Sequence, residues 1–318
     1  RAVAELLTEL QAGADRVREC AAWALGRIGL HQAVPELTRA LDGAHVRLRY
    51  FIIQALGRIG CKEVIAPSLD ALSDPTEDPA VQEAAASALG NMRCEQACPD
   101  LLAALRRGPD RVRAAVAWAL GTIGLPTAVP GLVAAFHEKN SEIVYYRIVE
   151  ALGQIGLEAS VPVLVEALAN QYESVVRNAA IGLVRIGSSS SVSALRKALG
   201  GPEFSVRNAV IVALCASESE DVIFLLQEAL ADPDPSICEK AAWALSRIDP
   251  GQSVTALSQA FSSGDDRRRE GIVRVCHTSG IRIQIVPDLA SQELQHDLQE
   301  LQTVLDQLAD LLDSDDTS

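Results

Sequence analysis

The chain contains few aromatic residues and no long apolar run. Phe, Trp and Tyr make up only 4% of its 318 residues, although 48% of the residues are hydrophobic. Ala and Leu supply most of this apolar content, which is typical of many thin interfaces between helices rather than one thick core. No run of 18 or more apolar residues occurs. We therefore expect no membrane-spanning helix.

Positive charge is also scarce. The chain has 28 Lys and Arg against 42 Asp and Glu, which gives a net charge of −14. Nine of the acidic residues lie in residues 288–318, which contain no Lys or Arg, so the rest of the chain carries −5. Affinity for nucleic acid comes mainly from neutralising phosphates. We therefore expect no nucleic-acid partner.

Disulfide and catalytic patterns are missing as well. The seven cysteines are odd in number and scattered, which favours a reduced, cytoplasmic protein. Cys94-x-x-x-Cys98 has the wrong spacing for a zinc knuckle, and no second pair completes it. No glycine-rich phosphate loop follows a strand pattern. We expect no metal site, no cofactor and no catalytic residue.

Two short phrases recur about every 31 to 33 residues. The first has the form Leu-Gly-x-Ile-Gly, and its leading residue, here named the anchor leucine, is Leu25, Leu56, Leu120 or Leu152. Looser copies begin at Leu89, Leu183, Leu214 and Leu245, and a degenerate copy is centred on Cys276. The second phrase is a proline that lies 21 or 22 residues before the next anchor leucine, at Pro35, Pro67, Pro99, Pro130 and Pro162. Such self-similarity predicts a solenoid of stacked units.

Each unit is predicted to contain two helices. The proline falls in the first turn of the first helix, where a missing N–H does no harm. The second helix is predicted to run from a Val-Arg pair, such as Val17-Arg18, to a glycine such as Gly29. Glycine favours the left-handed conformation that ends helices. The small residues around each anchor leucine, such as Ala24 and Gly26, allow neighbouring helices to approach closely.

These residues resemble the HEAT-repeat family, whose marks are the proline of the first helix, the Asp of the turn and the Val-Arg pair. The resemblance covers roughly residues 1–280 and implies an all-α, right-handed α-solenoid of about nine helix pairs. Ala4 aligns with the repeat prolines, so the chain is expected to begin inside a first helix. Iron-dependent hydroxylases of this family need several His-Glu pairs, and His137-Glu138 is the only one here. We therefore do not expect that activity.

A narrower resemblance is carried by Arg18 through Gly26, which contains Trp23 and recurs at Arg113 through Gly121 and around Trp243. This segment is similar to the short bacterial HEAT-like repeats of phycobilin lyases. The resemblance implies a link to cyanobacterial light harvesting by phycobilisomes. Lyases of this kind help to attach an open-chain tetrapyrrole, a bilin, to a protein cysteine, and they often act as pairs of different subunits.

One register position collects all three tryptophans, Trp23, Trp118 and Trp243, two residues before the anchor leucine. In HEAT arrays the second helices line the concave wall, so the resemblance places these rings in a groove. Tyr50 and Tyr146 are expected near the same wall. Arginines recur about one helical turn from the tryptophan row, at Arg27, Arg58, Arg185 and Arg247. Such a surface suits a protein with carboxylates or a flat conjugated ligand with acidic side arms; alternatively, the rings only fill gaps between helices.

Residues 281–318 differ from the repeats. Ile281, Ile283 and Ile285 predict a short extended segment that ends at Pro287. A narrow apolar seam follows at Leu294, Leu298, Leu301, Leu305, Leu308 and Leu312, with acidic residues around it. We expect this helix either to cap the last repeat or to dock a partner or a second copy in a homo- or hetero-dimer. The last residues, from 313 to 318, are expected to be disordered.

Two functions remain open from the sequence. The first is a non-catalytic interaction scaffold or assembly factor that holds a protein partner in its groove. The second is a phycobilin lyase-type protein, for which Trp23, Trp118 and the arginine row would hold a bilin.

Overall fold

The computed structural model describes residues 2–217, 222–248, 250–264 and 266–279, and this part of the chain contains eighteen α-helices and no strand. The first helices of the pairs are α1 (Ala2–Ala12), α3 (Val34–Leu41), α5 (Ile65–Ser73), α7 (Cys98–Arg107), α9 (Val129–Phe136), α11 (Val161–Ala167), α13 (Ser189–Leu199), α15 (Ile223–Ala229) and α17 (Pro250–Ser263). The second helices are α2 (Asp15–Ile28), α4 (Val46–Ile59), α6 (Pro79–Asn91), α8 (Asp110–Ile123), α10 (Glu142–Ile155), α12 (Glu173–Ile186), α14 (Phe204–Cys215), α16 (Pro235–Ile248) and α18 (Asp266–Ser279).

The predicted all-α solenoid of nine helix pairs is confirmed. The chain divides into two compact units, residues 1–213 and residues 214–318. In the first unit each second helix packs on the next, in the order α2, α4, α6, α8, α10 and α12. In the second unit α16 packs on α18. The predicted extended segment, the leucine seam and the disordered end all fall within residues 280–318, which lie outside the described residues.

The first helices begin where the sequence predicts, whereas the second helices begin earlier than predicted. A short 3₁₀ turn precedes five first helices, at His31–Ala33, Lys62–Val64, Glu95–Ala97, Pro126–Ala128 and Glu158–Ser160. The repeat proline then lies near the start of the first helix, as Pro35 does in α3. The second helices begin before the Val-Arg pair, for example at Asp15 and Asp110. An acidic residue in the first turn interacts favourably with the helix dipole, which stabilises these two earlier starts.

Glycine ends five second helices in the predicted left-handed conformation. Gly29, Gly60, Gly124, Gly156 and Gly187 have φ between 63° and 79°. The N–H of each donates to the carbonyl of its anchor leucine, as Gly60 donates to Leu56 over 3.0 Å. This single bond satisfies an otherwise orphaned carbonyl at the end of the helix.

The third repeat has an arginine at this left-handed position. Arg93 takes the place of the terminal glycine four residues after Leu89 and adopts φ 48°. A side chain with a Cβ is strained in this region. Arg93 is the one non-glycine residue with positive φ in the part of the chain that the structure describes.

The arginine of the Val-Arg pair joins the two helices of a repeat. Arg18 Nε donates to the Leu10 carbonyl over 3.0 Å, and Arg113 Nε donates to the Leu105 carbonyl over 2.9 Å. Each carbonyl belongs to the last turn of the first helix, where no intrahelical donor remains. The arginine therefore caps the preceding helix and fixes the turn between the two.

The core consists of the anchor leucines and the small residues around them. Leu25, Leu56, Leu89, Leu120 and Leu152 are fully buried. The glycine after each anchor lies against the next second helix. A Cβ added to Gly57 would lie 2.8 Å from the Ala88 Cα, so only glycine fits. These contacts set the close spacing of the second helices, and therefore the surface that their outer sides form.

Candidate binding surface

The tryptophan position points away from the core in two of its three occurrences. Trp23 on α2 and Trp243 on α16 are each 43% exposed, although a single ring is a large apolar surface to leave in water. Trp118 on α8 is half-buried. A Cβ added to Gly90 of the preceding second helix would lie 3.0 Å from Trp118 Cζ3. Trp118 therefore partly fills a gap between helices, while Trp23 and Trp243 leave more of their rings exposed.

Two of the predicted arginines stack on the exposed tryptophans. The Arg27 guanidinium lies 5.0 Å from the centre of the Trp23 ring, and that of Arg247 lies 4.7 Å from the Trp243 ring. The contact arises because residues four apart share one side of a helix. Cation–π attraction holds the guanidinium over the ring, while its N–H groups stay accessible because both arginines are exposed.

The other two predicted arginines have no aromatic ring one turn before them on their helix. Arg58 and Arg185 are exposed one turn after Gln54 and Ile181. The structure thus gives the arginine row two forms. One form is stacked on tryptophan and the other projects freely from the helix.

The predicted tyrosines lie at the start of the same side of the second helices. Tyr50 is half-buried, and its hydroxyl accepts a hydrogen bond of 2.8 Å from Gln54 Nε2. Tyr146 is also half-buried, with the Arg147 guanidinium 5.5 Å from its ring centre. Arg147 in turn donates to Glu150 over 2.8 Å. The tyrosines are therefore held in place by neighbours on their own helices.

Trp23, Trp118, the two tyrosines and three of the arginines lie on second helices of the first unit. Trp243 and Arg247 belong to the second unit. There, a cavity of about 340 Å³ lies beside Trp243 and between α16 and α18, with Glu239, Lys240 and Arg274 at its rim. The cavity places both signs of charge around one exposed aromatic ring.

The sequence interpretation missed an aromatic cluster at the turns of the fifth and sixth repeats. The ring centres of Phe136 and Tyr145 are 5.4 Å apart, and those of Tyr145 and Tyr172 are 6.5 Å apart. Tyr145 occupies the position of the arginine in the Val-Arg pair, and its hydroxyl donates to the Glu138 carbonyl over 3.1 Å. This substitution was the available signal, since a tyrosine there reaches the turn that an arginine reaches in other repeats.

The candidate metal and nucleophile residues pair with other side chains or are buried. His137 lies 3.0 Å from Glu166, and Glu138 lies 3.0 Å from Arg113. No group of three His, Cys, Asp or Glu side chains suited to a metal occurs in the described residues. None of the seven cysteines forms a disulfide, and five of them are buried, including Cys94 and Cys98. The last two therefore lie in the packed interior rather than at a zinc site.

Burial also changes the acidity of the thiols. It raises the pKa of Cys215 and of Cys276 to about 11, and it raises the pKa of Cys61. A thiol with a pKa of 11 is almost entirely protonated at pH 7, so it is a poor nucleophile.

No helix among the described residues is long and apolar enough to span a membrane.

Two models of known protein families match the repeats of the chain. A model described as HEAT repeats matches residues 39–116, 69–145, 108–185, 129–215 and 192–275, which together span more than half of the chain. A model described as a PBS lyase HEAT-like repeat matches residues 17–43. The second match contains Trp23 and Arg27, the stacked pair of the first repeat. No curated protein matches the chain.

Several solved structures are similar to the chain. The complex of CpcE and CpcF of phycocyanin lyase from Nostoc sp. PCC7120 has 20% identity and a TM-score of 0.46, over 77% of this chain and 94% of that one. Human deoxyhypusine hydroxylase in complex with glycerol has 19% identity and a TM-score of 0.35, over 88% and 96%. An engineered protein has 20% identity and a TM-score of 0.46, over 88% and 89%. These identities are too low to transfer a function.

Proposed function

Since the chain belongs to the HEAT-repeat family, we propose that it is a non-catalytic interaction scaffold or assembly factor, which holds a protein partner against the outer sides of its second helices. The observation that carries the proposal is the tryptophan position. Two of the three tryptophans expose 43% of their surface, and each is covered on one side by an arginine of its own helix. Trp and Arg are the residues most enriched among binding hot spots.

The remaining features of the chain support a scaffold. The described residues offer no metal cluster, and Cys215 and Cys276, whose pKa is raised to about 11 by burial, are poor nucleophiles. Seven cysteines without a disulfide suit a reducing compartment, and we propose a cytoplasmic location on that ground. The helix pairs stacked in the first unit repeat the same side-chain positions from one pair to the next. Solenoid proteins build extended binding surfaces in this way.

The direct test is capture of partners from the native cell with the full chain as bait. The double variant Trp23→Ala and Trp243→Ala is expected to lose the partner that the wild type retains. Phe224→Ala is the matched control, because Phe224 is 68% exposed but lies on the first helix α15. Equal recovery of the same partner by the wild type and the tryptophan variant would contradict the proposal.

A second candidate is a phycobilin lyase-type activity, favoured by the PBS lyase HEAT-like match over residues 17–43. In this case Trp23, Trp118 and the arginine row would hold a bilin, with the ring system on the indoles and the acidic side arms on the guanidinium groups. Co-expression with a bilin and an acceptor phycobiliprotein tests it. Visible absorbance that stays with the acceptor after denaturation would support the activity. Colourless acceptor would exclude it and leave the scaffold.

A further inference from the structure

We propose that the segment bound by the first unit is acidic and extended, with carboxylates that pair with the arginines at the ends of the second helices. This inference rests on the proposed function, because it names the chemistry of the partner for the same surface. It is carried by the separation of charge between that surface and the rest of the protein.

The charge separation is visible on one side of helices α2, α4, α6, α8, α10 and α12. This side, named here the outer stripe, comprises the positions nine, six and two residues before the anchor leucine and two residues after it. These spacings bring the four positions of each helix to one side. The outer stripe contains seven arginines and three glutamates, and no Lys or Asp. It has a surplus of four positive charges in a chain whose net charge is −14.

The three glutamates of the outer stripe are already paired within the protein. Glu19 lies 3.0 Å from Arg47, Glu83 pairs with Arg111, and Glu150 lies 2.8 Å from Arg147. Two of these pairs join neighbouring second helices. The three carboxylates therefore form ion pairs within or between second helices. None of them pairs with an arginine that follows an anchor leucine.

The arginines after the anchor leucines have no carboxylate within 4 Å among the described residues, the distance that defines an ion pair. This group comprises Arg27, Arg58 and Arg185, all exposed. Arg27 is also held over Trp23, which reduces the freedom that it would lose on binding. A guanidinium stacked in this way still presents two parallel N–H donors to a carboxylate.

The spacing of these arginines fits an extended segment. Gly26 and Gly57 precede Arg27 and Arg58, and Gly26 packs so tightly on α4 that its Cβ would lie 2.6 Å from the Ala55 Cα. Closely packed helices have axes about 8–10 Å apart. A chain in the extended polyproline II conformation rises about 3.1 Å per residue and turns once every three residues, so carboxylates three residues apart lie on one side of it, about 9 Å apart. Half-buried apolar groups on the stripe, such as Ile181, can contact the residues between them.

Nucleic acid is a weaker match for the same surface. The outer stripe contains no lysine, and Glu19, Glu83 and Glu150 interrupt its positive charge. A nucleic acid carries a phosphate at every nucleotide, so its backbone would be repelled by these carboxylates and by the net negative charge of the protein. Two carboxylates three residues apart can instead meet Arg27 and Arg58 on the neighbouring helices α2 and α4.

The experiment is selection of peptides from a random displayed library on the full chain, followed by binding of the enriched peptides in solution. We expect enrichment of Asp or Glu with a spacing of three residues. Arg27→Gln with Arg58→Gln is expected to weaken binding about tenfold or more, because two charge-assisted contacts are lost. The matched control is Arg106→Gln with Arg107→Gln, which removes the same charge from the first helix α7, where both arginines are exposed.

The outcomes separate this inference from the proposed function. Enrichment of neutral or basic peptides, or no enrichment, overturns the acidic partner. Peptides that lose binding in Trp23→Ala but not in the arginine variant overturn it too, while the scaffold proposal stands. Tighter binding of a single-stranded oligonucleotide than of any selected peptide, with loss in the arginine variant, would assign the stripe to nucleic acid instead.

Discussion

The second helices of the first repeats and of the last repeats solve the same packing problem in different ways. In the first repeats the residue after the anchor is glycine, and Gly57 lies directly on Ala88 of the next second helix. In the second unit this position holds larger polar groups. Cys215 Sγ donates to the Lys240 carbonyl over 3.5 Å, and Ser246 Oγ lies 3.0 Å from Ser279 Oγ. The first region depends on the absence of a side chain, and the second on hydrogen bonds across the interface.

This difference gives the two regions different vulnerabilities. Added volume should be harmful where glycine meets alanine, because backbone atoms cannot move aside. Loss of polarity should matter more at Ser246, because its buried hydroxyl bonds to the Trp243 carbonyl and lies 3.0 Å from Ser279 Oγ.

The largest expected effect is that of Gly57→Val. A Cβ added to Gly57 would lie only 2.6 Å from the Ala88 Cβ, so α4 and α6 must separate to accept the valine. We expect the free energy of unfolding to fall by about 2–4 kcal/mol, measured by urea denaturation. Arg58→Ala, at the next and exposed position, is the control and should change stability by less than about 0.5 kcal/mol. Equal stability of the two variants would contradict the packing account.

The matching change in the second region is Ser246→Ala. The buried Ser246 hydroxyl donates to the Trp243 carbonyl over 2.7 Å and also lies near Ser279. Its removal should lower the free energy of unfolding by about 1 kcal/mol, with little change in packing volume. Ser263→Ala is the control, because that hydroxyl is exposed and bonds within its own helix. A neutral Ser246→Ala would show that the second region also packs by volume alone.

An effect of similar size and opposite sign is expected for Arg93→Gly. Arg93 holds the left-handed position that glycine holds in five other repeats, at φ 48°. Replacing it should raise the free energy of unfolding by about 1 kcal/mol, because the strain of the Cβ outweighs the extra freedom of glycine in the unfolded chain. The reverse change, Gly60→Ala, should lower it by a similar amount. Thermal melts of both variants measure these changes. A lower melting temperature for Arg93→Gly would show that the left-handed conformation of Arg93 is not strained.

The smallest expected effect concerns the thiol reactivity of the two regions. Cys20 of the first repeat is exposed, whereas burial raises the pKa of Cys215 and Cys276 to about 11. At pH 8 iodoacetamide should alkylate Cys20 well before the other two, because the thiolate is the reacting form. Their labelling should increase as the pH rises towards 11. Mass spectrometry of digested protein measures each site, and equal early labelling at pH 8 would contradict the burial.

The sequence was sufficient for the helix pairs because each pair repeats the same local signals. Pro35 and Gly29 act within one turn of their own helix, so their effect is readable without knowing the fold. The Trp23 and Arg27 contact was also within reach, since four residues separate them.

The contacts that the sequence did not reveal join different helices. The position of Trp118 over Gly90 depends on how closely α6 and α8 approach. The cluster of Phe136, Tyr145 and Tyr172 depends on two turns from successive repeats lying side by side. The strain at Arg93 was also missed, because its repeat lacks the terminal glycine that marks this conformation elsewhere.

The central claim is that the outer side of the second helices is a binding surface, and tryptophan fluorescence tests it most directly. All three tryptophans of the chain lie two residues before an anchor leucine, so their emission reports on that position of the second helices. Titration with a selected acidic peptide should shift the emission to shorter wavelength and reduce quenching by acrylamide. Saturable binding with unchanged emission and unchanged quenching would place the peptide elsewhere and contradict the claim.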